Sequence, residues 1–169
     1  VAHLAGLGEQ DLALGIDGCS APNYAMPLSR LARSYARLAR PETDGLYGES
    51  LQQLGQAMST YPDLVSGTGR NDADFMRAGR GDWITKVGAD GVQVVASRSR
   101  GQALAVKIMD GNKAALFAAT VEALDQMGWL DDAQRQQLAP WRAASLLNVA
   151  GIAVGERRSV FQLQAGEHG

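Results

Sequence analysis

Two short segments carry residue types that could do chemistry at one centre. The first, Gly15-Ile16-Asp17-Gly18-Cys19-Ser20-Ala21-Pro22, sets a carboxylate two residues from the only cysteine. The second, Trp83-Ile84-Thr85-Lys86-Val87-Gly88, sets one of just three lysines in an apolar stretch of a chain that otherwise uses arginine. Lysine can be deprotonated by burial, whereas arginine effectively cannot. An amine stripped of water on an apolar strand is disfavoured in its charged form, and such an amine could take a proton from a serine hydroxyl. The bland alternative for Lys86 is an edge-strand lysine pointing to water, a common guard against edge pairing. Lys107 and Lys113 read as blander still, one alternating outward on a strand and one in the first turn of a helix.

Thiol and carboxylate are both good zinc ligands, but a structural zinc site wants four. The chain has no Cys-x-x-Cys, and its two histidines, His3 and His168, lie near its ends. From spacing alone Cys19 therefore reads as a buried or unreactive thiol, and a ligand role for it needs partners from outside the chain. Ser66, Thr68 and Arg70 form a small polar cluster interleaved with Gly67 and Gly69. Those glycines would let a backbone approach a ligand closely, or the segment is a plain surface loop. It is no nucleotide fingerprint, since no strand precedes it and a third glycine is missing. No Ser-x-x-Lys, no Gly-x-Ser-x-Gly and no Cys/His nucleophile pair occurs in the 169 residues.

The elements that would position these residues follow from hydrophobic period. Residues 1–13 read as a helix end and a turn. Pro27 opens a helix with Leu28, Leu31, Tyr35 and Leu38 on one face and Pro41 stopping it. Arg30, Arg33, Arg37 and Arg40 line an adjacent face, read as solvated. A second helix spans 46–59 with Tyr47, Leu51, Leu54 and Met58 inward, and residues 65–72 form a loop. Asn71 or Asp72 can cap a short helix to about Arg77, and Gly79-Arg80-Gly81 breaks it. The period then changes to two. Strands are expected at 83–87, 91–97 and 102–109, with a hairpin turn at 98–101. A long helix at 112–127 turns Leu116, Phe117, Val121 and Leu124 inward and ends at Gly128. A short helix from Asp131, a last strand near 160–163 and a frayed tail at 165–169 complete the reading.

Helices, then a meander of strands, then a helix argue for α+β with an antiparallel sheet and packed helices. That set is a partial architecture, one partial domain over 1–169, and leaves apolar surface exposed unless another segment or chain covers it. Composition agrees with a globular chain: 46% hydrophobic, 20% charged, net charge -2. The charge gives no field drawing it to nucleic acid or membrane, and no apolar run approaches the roughly 20 residues of a membrane span. One cysteine excludes an intrachain disulfide and fits a reducing, cytoplasmic setting. The start at Val1, without methionine or signal pattern, reads as cut.

Taken together, five runs in order resemble the L-asparaginase II family of the rhizobial type. They are Gly15–Leu28, Leu31–Ala39, Tyr61–Asp72, Trp83–Gln93 and Leu104–Asn112, with Asn148–Arg157 also similar. The resemblance implies a Ser-Lys amidohydrolase with a fold akin to serine β-lactamases and glutaminases, acting on a small amino acid. A serine would attack the side-chain amide of L-asparagine, giving aspartate and ammonia. Lys86 would match the family's second catalytic lysine, in Lys-Val-Gly where β-lactamases carry Lys-Thr-Gly. Asp17, with Thr68 and Arg70, would serve the substrate pocket. Cys19 would match one of two cysteines that, with a lysine, can hold zinc; no cofactor is otherwise required. The nucleophile, its own lysine and the second cysteine would precede the region covered, so the chain reads as a C-terminal half that needs its N-terminal half or an oligomeric partner. Asp17 and Cys19 are then expected close to Lys86. Two alternatives remain open: a non-catalytic domain binding a small molecule or partner chain, and a glutaminase or β-lactam-binding protein on the same scaffold.

Overall fold

A computed structural model describes residues 1–143 and 145–164. The chain divides into two compact units: Val1–Val87 with Val94–Ala105, and Gly88–Gln93 with Val106–Gly169. Helix and strand are mixed and the two hairpins pair antiparallel, so the α+β class holds. A three-stranded sheet has the order β3 (Trp83–Gly88), β4 (Val92–Ser97), β5 (Gln102–Lys107).

In the first unit, α1 (Ala2–Ala5) is followed by the hairpin β1 (Ala13–Ile16) and β2 (Pro22–Ala25). Next come α2 (Leu28–Ala39), α3 (Gly48–Thr60), α4 (Pro62–Ser66) and α5 (Asn71–Ala78). Leu38, Leu51 and Ile84 form a buried cluster against which Leu4, Tyr35 and Met58 pack. Burying such side chains stabilises by roughly 1.5–3 kcal/mol each. Phe75, Met76 and Trp83 are buried as well. Tyr47 and Leu54, expected inward, are instead about half exposed, at 47% and 52%. The helical stripe is narrower than its apolar spacing suggests, because only one edge of α3 meets α2 and β3.

The arginine stripe of α2 does more than meet water. Arg30 Nη1 donates to the Gly6 carbonyl at 3.4 Å, and Arg37 Nη1 donates to the His3 carbonyl. Both carbonyls lie at the C-terminal end of α1, where cations are favoured; the His3 carbonyl also accepts from the Gly6 amide at 3.1 Å. His3 Nε2 also bonds Asp44 Oδ2 at 2.8 Å. Tyr47 N–H foremost, with the Leu46 N–H and His3, holds the Asp44 carboxyl below the usual carboxylate range despite its burial.

In the second unit α6 (Lys113–Gln126) packs on α7 (Asp132–Arg142). Leu116, Val121, Leu124 and Leu138 are fully buried, and Phe117 meets Trp141 edge-on at 5.1 Å. Asn112 caps α6 through the Ala115 amide, and Asp131 with Gln134 forms a reciprocal capping box on α7. Arg135 and Arg142 both reach Asp125, at 2.8 and 2.6 Å, and their guanidinium groups hold its carboxyl below the usual range.

The expected strand at 160–163 is not a strand. The segment has no regular secondary structure, and the side chain of Gln126 bonds its backbone instead: Nε2 donates to the Phe161 carbonyl and Oε1 accepts from the Leu163 amide. The terminal hairpin is instead β6 (Ser145–Leu147) with β7 (Ala153–Glu156), turned by Asn148, whose Oδ1 accepts from the Ala150 and Ile152 amides. The tail at 165–169, with His168, lies outside the described residues.

Both two-stranded hairpins are exposed along their whole length. Leu14, Ile16, Ile152 and Val154 are each more than 60% exposed. This is apolar surface of the kind the composition of elements leads one to expect.

The turn after β3 uses a close approach. Gly91 has φ +76°, and a Cβ there would lie 2.9 Å from Gly111 Cα and 3.0 Å from the Ile108 carbonyl oxygen, whose own amide donates to Gly91 O at 2.8 Å. Gly91→Ala is expected to cost roughly 2–4 kcal/mol, combining left-handed strain with overpacking. Urea unfolding checks this, and a loss below about 0.5 kcal/mol would show that the turn relaxes freely.

Candidate functional site

Lys86 stands on β3 where the sequence places it, but it is not stripped of water. Its side chain is 43% exposed, with Nζ donating to the Val87 carbonyl at 2.8 Å and lying 3.8 Å from Asp72 Oδ2. The expected desolvation is thus not supplied by this chain's residues. The amine is held by the Val87 carbonyl, with a carboxylate from the neighbouring helix close enough to pair with its charge.

Asp72 is the residue that sequence reasoning missed as part of a site. Its position in the first turn of α5 suggested a cap, yet Arg70 occupies the cap position and the Asp72 side chain turns inward, fully buried. Oδ1 accepts from Thr85 Oγ1 at 3.2 Å and from Asn71 Nδ2 at 3.1 Å, and Oδ2 accepts from the Val87 amide at 2.9 Å. Asn71 and Thr85 are themselves buried. A buried charge persists only when paired and hydrogen-bonded, and here the pairing reaches Lys86. Tyr35, from α2, registers the same charge: burial first and the Asp72 carboxylate second push its phenol up to about 12. The signal that could have found Asp72 is its neighbour Asn71, because two adjacent polar residues opening a helix need not both be caps.

Asp17 and Cys19 lie at the tip of the β1–β2 hairpin, both exposed. The reading of Cys19 as buried is therefore corrected: a hairpin with both faces in water offers it no apolar wall. Asp17 Oδ1 accepts from the Cys19 amide at 2.8 Å and the Ala21 amide at 3.1 Å, which shapes the turn. No hydrogen bond or ion pair among the described residues joins either of them to Lys86. The 65–72 segment is partly helical. Ser66 Oγ accepts from the Ala73 amide at 3.1 Å, capping α5 from a distance. Thr68 and Arg70 are exposed. Arg77 first, with the Thr68 hydroxyl, holds the Asp63 carboxyl below its usual range.

Among the described residues no group of three or more His, Cys, Asp and Glu could hold a metal ion. Cys19 and Asp17 offer one thiol and one carboxylate oxygen not engaged in the turn, short of the four ligands of a structural zinc site. These residues by themselves do not fit zinc. Among the described residues, no helix is long and apolar enough to cross a membrane.

The protein is thus of the α+β class, with a strand-borne lysine 3.8 Å from a buried helix carboxylate. The L-asparaginase II family model matches residues 1–159, and the chain belongs to that family. No curated protein matches the sequence. Membership makes the chain asparaginase-like, of the hydrolase class, with a small amino acid as the substrate that the family implies.

Proposed function

We propose that the chain supplies Lys86, with Asp72 and Thr85 behind it, to an active site that hydrolyses the side-chain amide of L-asparagine to L-aspartate and ammonia. The observation that carries this reading is the Lys86 amine, accessible on β3 and 3.8 Å from a buried carboxylate that also bonds the next backbone amide. Such a group can exchange a proton with a reacting hydroxyl at a set distance, the role of a general acid–base residue. The nucleophile is a serine of a Ser-x-x-Lys segment outside these 169 residues, in an N-terminal half or a partner chain, on a β-lactamase-like scaffold. Its Oγ attacks the side-chain carbonyl carbon, the C–N bond breaks and ammonia leaves with a proton, and water then cleaves the acyl-serine ester to release aspartate. Lys86 passes the proton between Oγ and the leaving nitrogen.

In this reading Asp17 receives the α-ammonium of the substrate, while Arg70, with Thr68, receives its α-carboxylate. Arg70 has a guanidinium suited to bidentate capture. Cys19 reaches zinc only with ligands from outside the chain, and the setting is the cytoplasm.

Ammonia release from L-asparagine and L-glutamine tests the proposal. The 1–169 chain alone is expected to be inactive. Addition of the segment bearing the serine is expected to restore turnover, with asparagine preferred. Hydrolysis by the chain alone, lost on replacing one of its own serines, would refute the assignment. Binding of asparagine without turnover in the reconstituted protein would favour a non-catalytic binding domain instead.

A further inference from the structure

Far from Lys86 along the same strand lies a cavity with features of a binding site. Its volume is about 560 Å³, and its walls include Glu42, Gln52, Gln56, Thr60 and Arg98. Arg98 follows β4, and its amide donates to the Asp82 carbonyl at 3.0 Å. This places it beside the start of β3, about 13 Å of strand from Lys86 at roughly 3.3 Å per residue.

The Arg98 guanidinium is partly buried, yet its five N–H donors find no acceptor among the described residues. Room for it is made by a glycine. A Cβ at Gly55, inside α3, would lie 3.0 Å from Arg98 Nη2 and 3.0 Å from Ile84 Cδ1. Glycine within a helix costs about 0.5–1 kcal/mol relative to alanine, so a helix that keeps one there keeps the guanidinium's place. Gln52, Gln56 and Thr60 recur at four-residue spacing and share one face of α3. The Gln52 and Gln56 side-chain amides have no protein partner among the described residues. Glu42, also lining the cavity, uses one oxygen on Arg40 at 3.3 Å and leaves the second without a protein partner among the described residues.

We propose that this cavity binds a free α-amino acid, the carboxylate on Arg98 and the ammonium on Glu42, with the α3 amides meeting the side chain. A cavity holding both an unsatisfied cation and a free carboxylate oxygen matches a zwitterion better than a simple anion. The site does not involve Lys86 and stands whether or not the catalytic proposal holds.

The test is titration of the 1–169 chain with L-aspartate and with succinate, which differ by the ammonium, followed by calorimetry and by the NMR signals of the Gln52 and Gln56 side-chain amides and Arg98 Nε. Aspartate is expected to shift all three. Arg98→Met is expected to weaken aspartate about 10- to 100-fold, the range for a hydrogen bond to a charged group. Glu42→Gln is expected to weaken aspartate about tenfold and leave succinate unchanged, and Lys113→Met, at an exposed position in the first turn of α6, to leave both unchanged. Glu42 is exposed, so that variant keeps its fold and decides the question if Arg98→Met does not fold. Absent shifts across the millimolar range, or aspartate affinity unaffected by Glu42→Gln, would each overturn the proposal.

Discussion

Lys86→Met is expected to lower asparagine turnover by about 10² or more once the serine nucleophile is present, the scale of general acid–base catalysis. Methionine nearly matches the lysine stem in length but cannot accept or give a proton. Because the side chain is 43% exposed, its replacement opens no cavity. Asp72 keeps the Thr85, Asn71 and Val87 donors but loses its counter-ion, so a modest fall in melting temperature is expected beside the loss of turnover. Lys107→Met serves as the comparison. Its Nζ donates to the Asp90 and Ile108 carbonyls and braces the turn after β3. Its loss is expected in thermal melts and not in turnover. Cys19→Ser should alter neither, since the thiol is exposed and the Asp17 turn uses only the Cys19 backbone. Turnover numbers beside melts for the three variants check this. Near-parental turnover of Lys86→Met at a matched melting temperature would leave Lys86 a structural residue.

The parts of the fold legible in the sequence were those set by local period and caps. The α2 and α6 helices and the β3–β5 meander follow from apolar spacing, and Asn112 and Asp131 mark helix starts by their side-chain chemistry. The hairpins β1–β2 and β6–β7 were not legible. Their strands lack a buried face, so no alternation of apolar and polar residues announces them. Their turns rest on side chains, Asp17 in one and Asn148 in the other, bonding to backbone amides nearby. Of the site, Lys86 was legible as an unusual lysine on a strand. Its partner was not, because the contact between Asp72 and Lys86 spans a helix-to-strand crossing that no local pattern encodes. The same holds for Arg98 and Gly55, brought together by α3 packing on the sheet.

Asp72→Asn is expected to remove about 2–4 kcal/mol of stability, the cost of leaving buried donors unsatisfied and a cation without its counter-charge. The carboxylate accepts from three donors while facing an ammonium. An amide of the same shape keeps one acceptor oxygen and turns an N–H₂ toward a donor. The variant carries a second signature at alkaline pH. Tyr35 has a folded pKa raised to about 12, above the ordinary tyrosine value of about 10. The folded state therefore holds this proton more tightly than the unfolded chain does. The resulting stabilisation is full below the unfolded pKa and is lost as pH climbs from there through the folded value. Burial is the larger cause and Asp72 the smaller. In Asp72→Asn the phenol should titrate lower, yet still above an exposed tyrosine, and the alkaline fall in stability should be shallower. Urea unfolding from pH 8 to 11, with ¹³C-labelled tyrosine followed by NMR, measures both. An unchanged Tyr35 titration would mean that the Asp72 charge does not reach α2. An unchanged stability at pH 7 would mean that Asp72 contributes no net stability and that Lys86 is held by the strand alone.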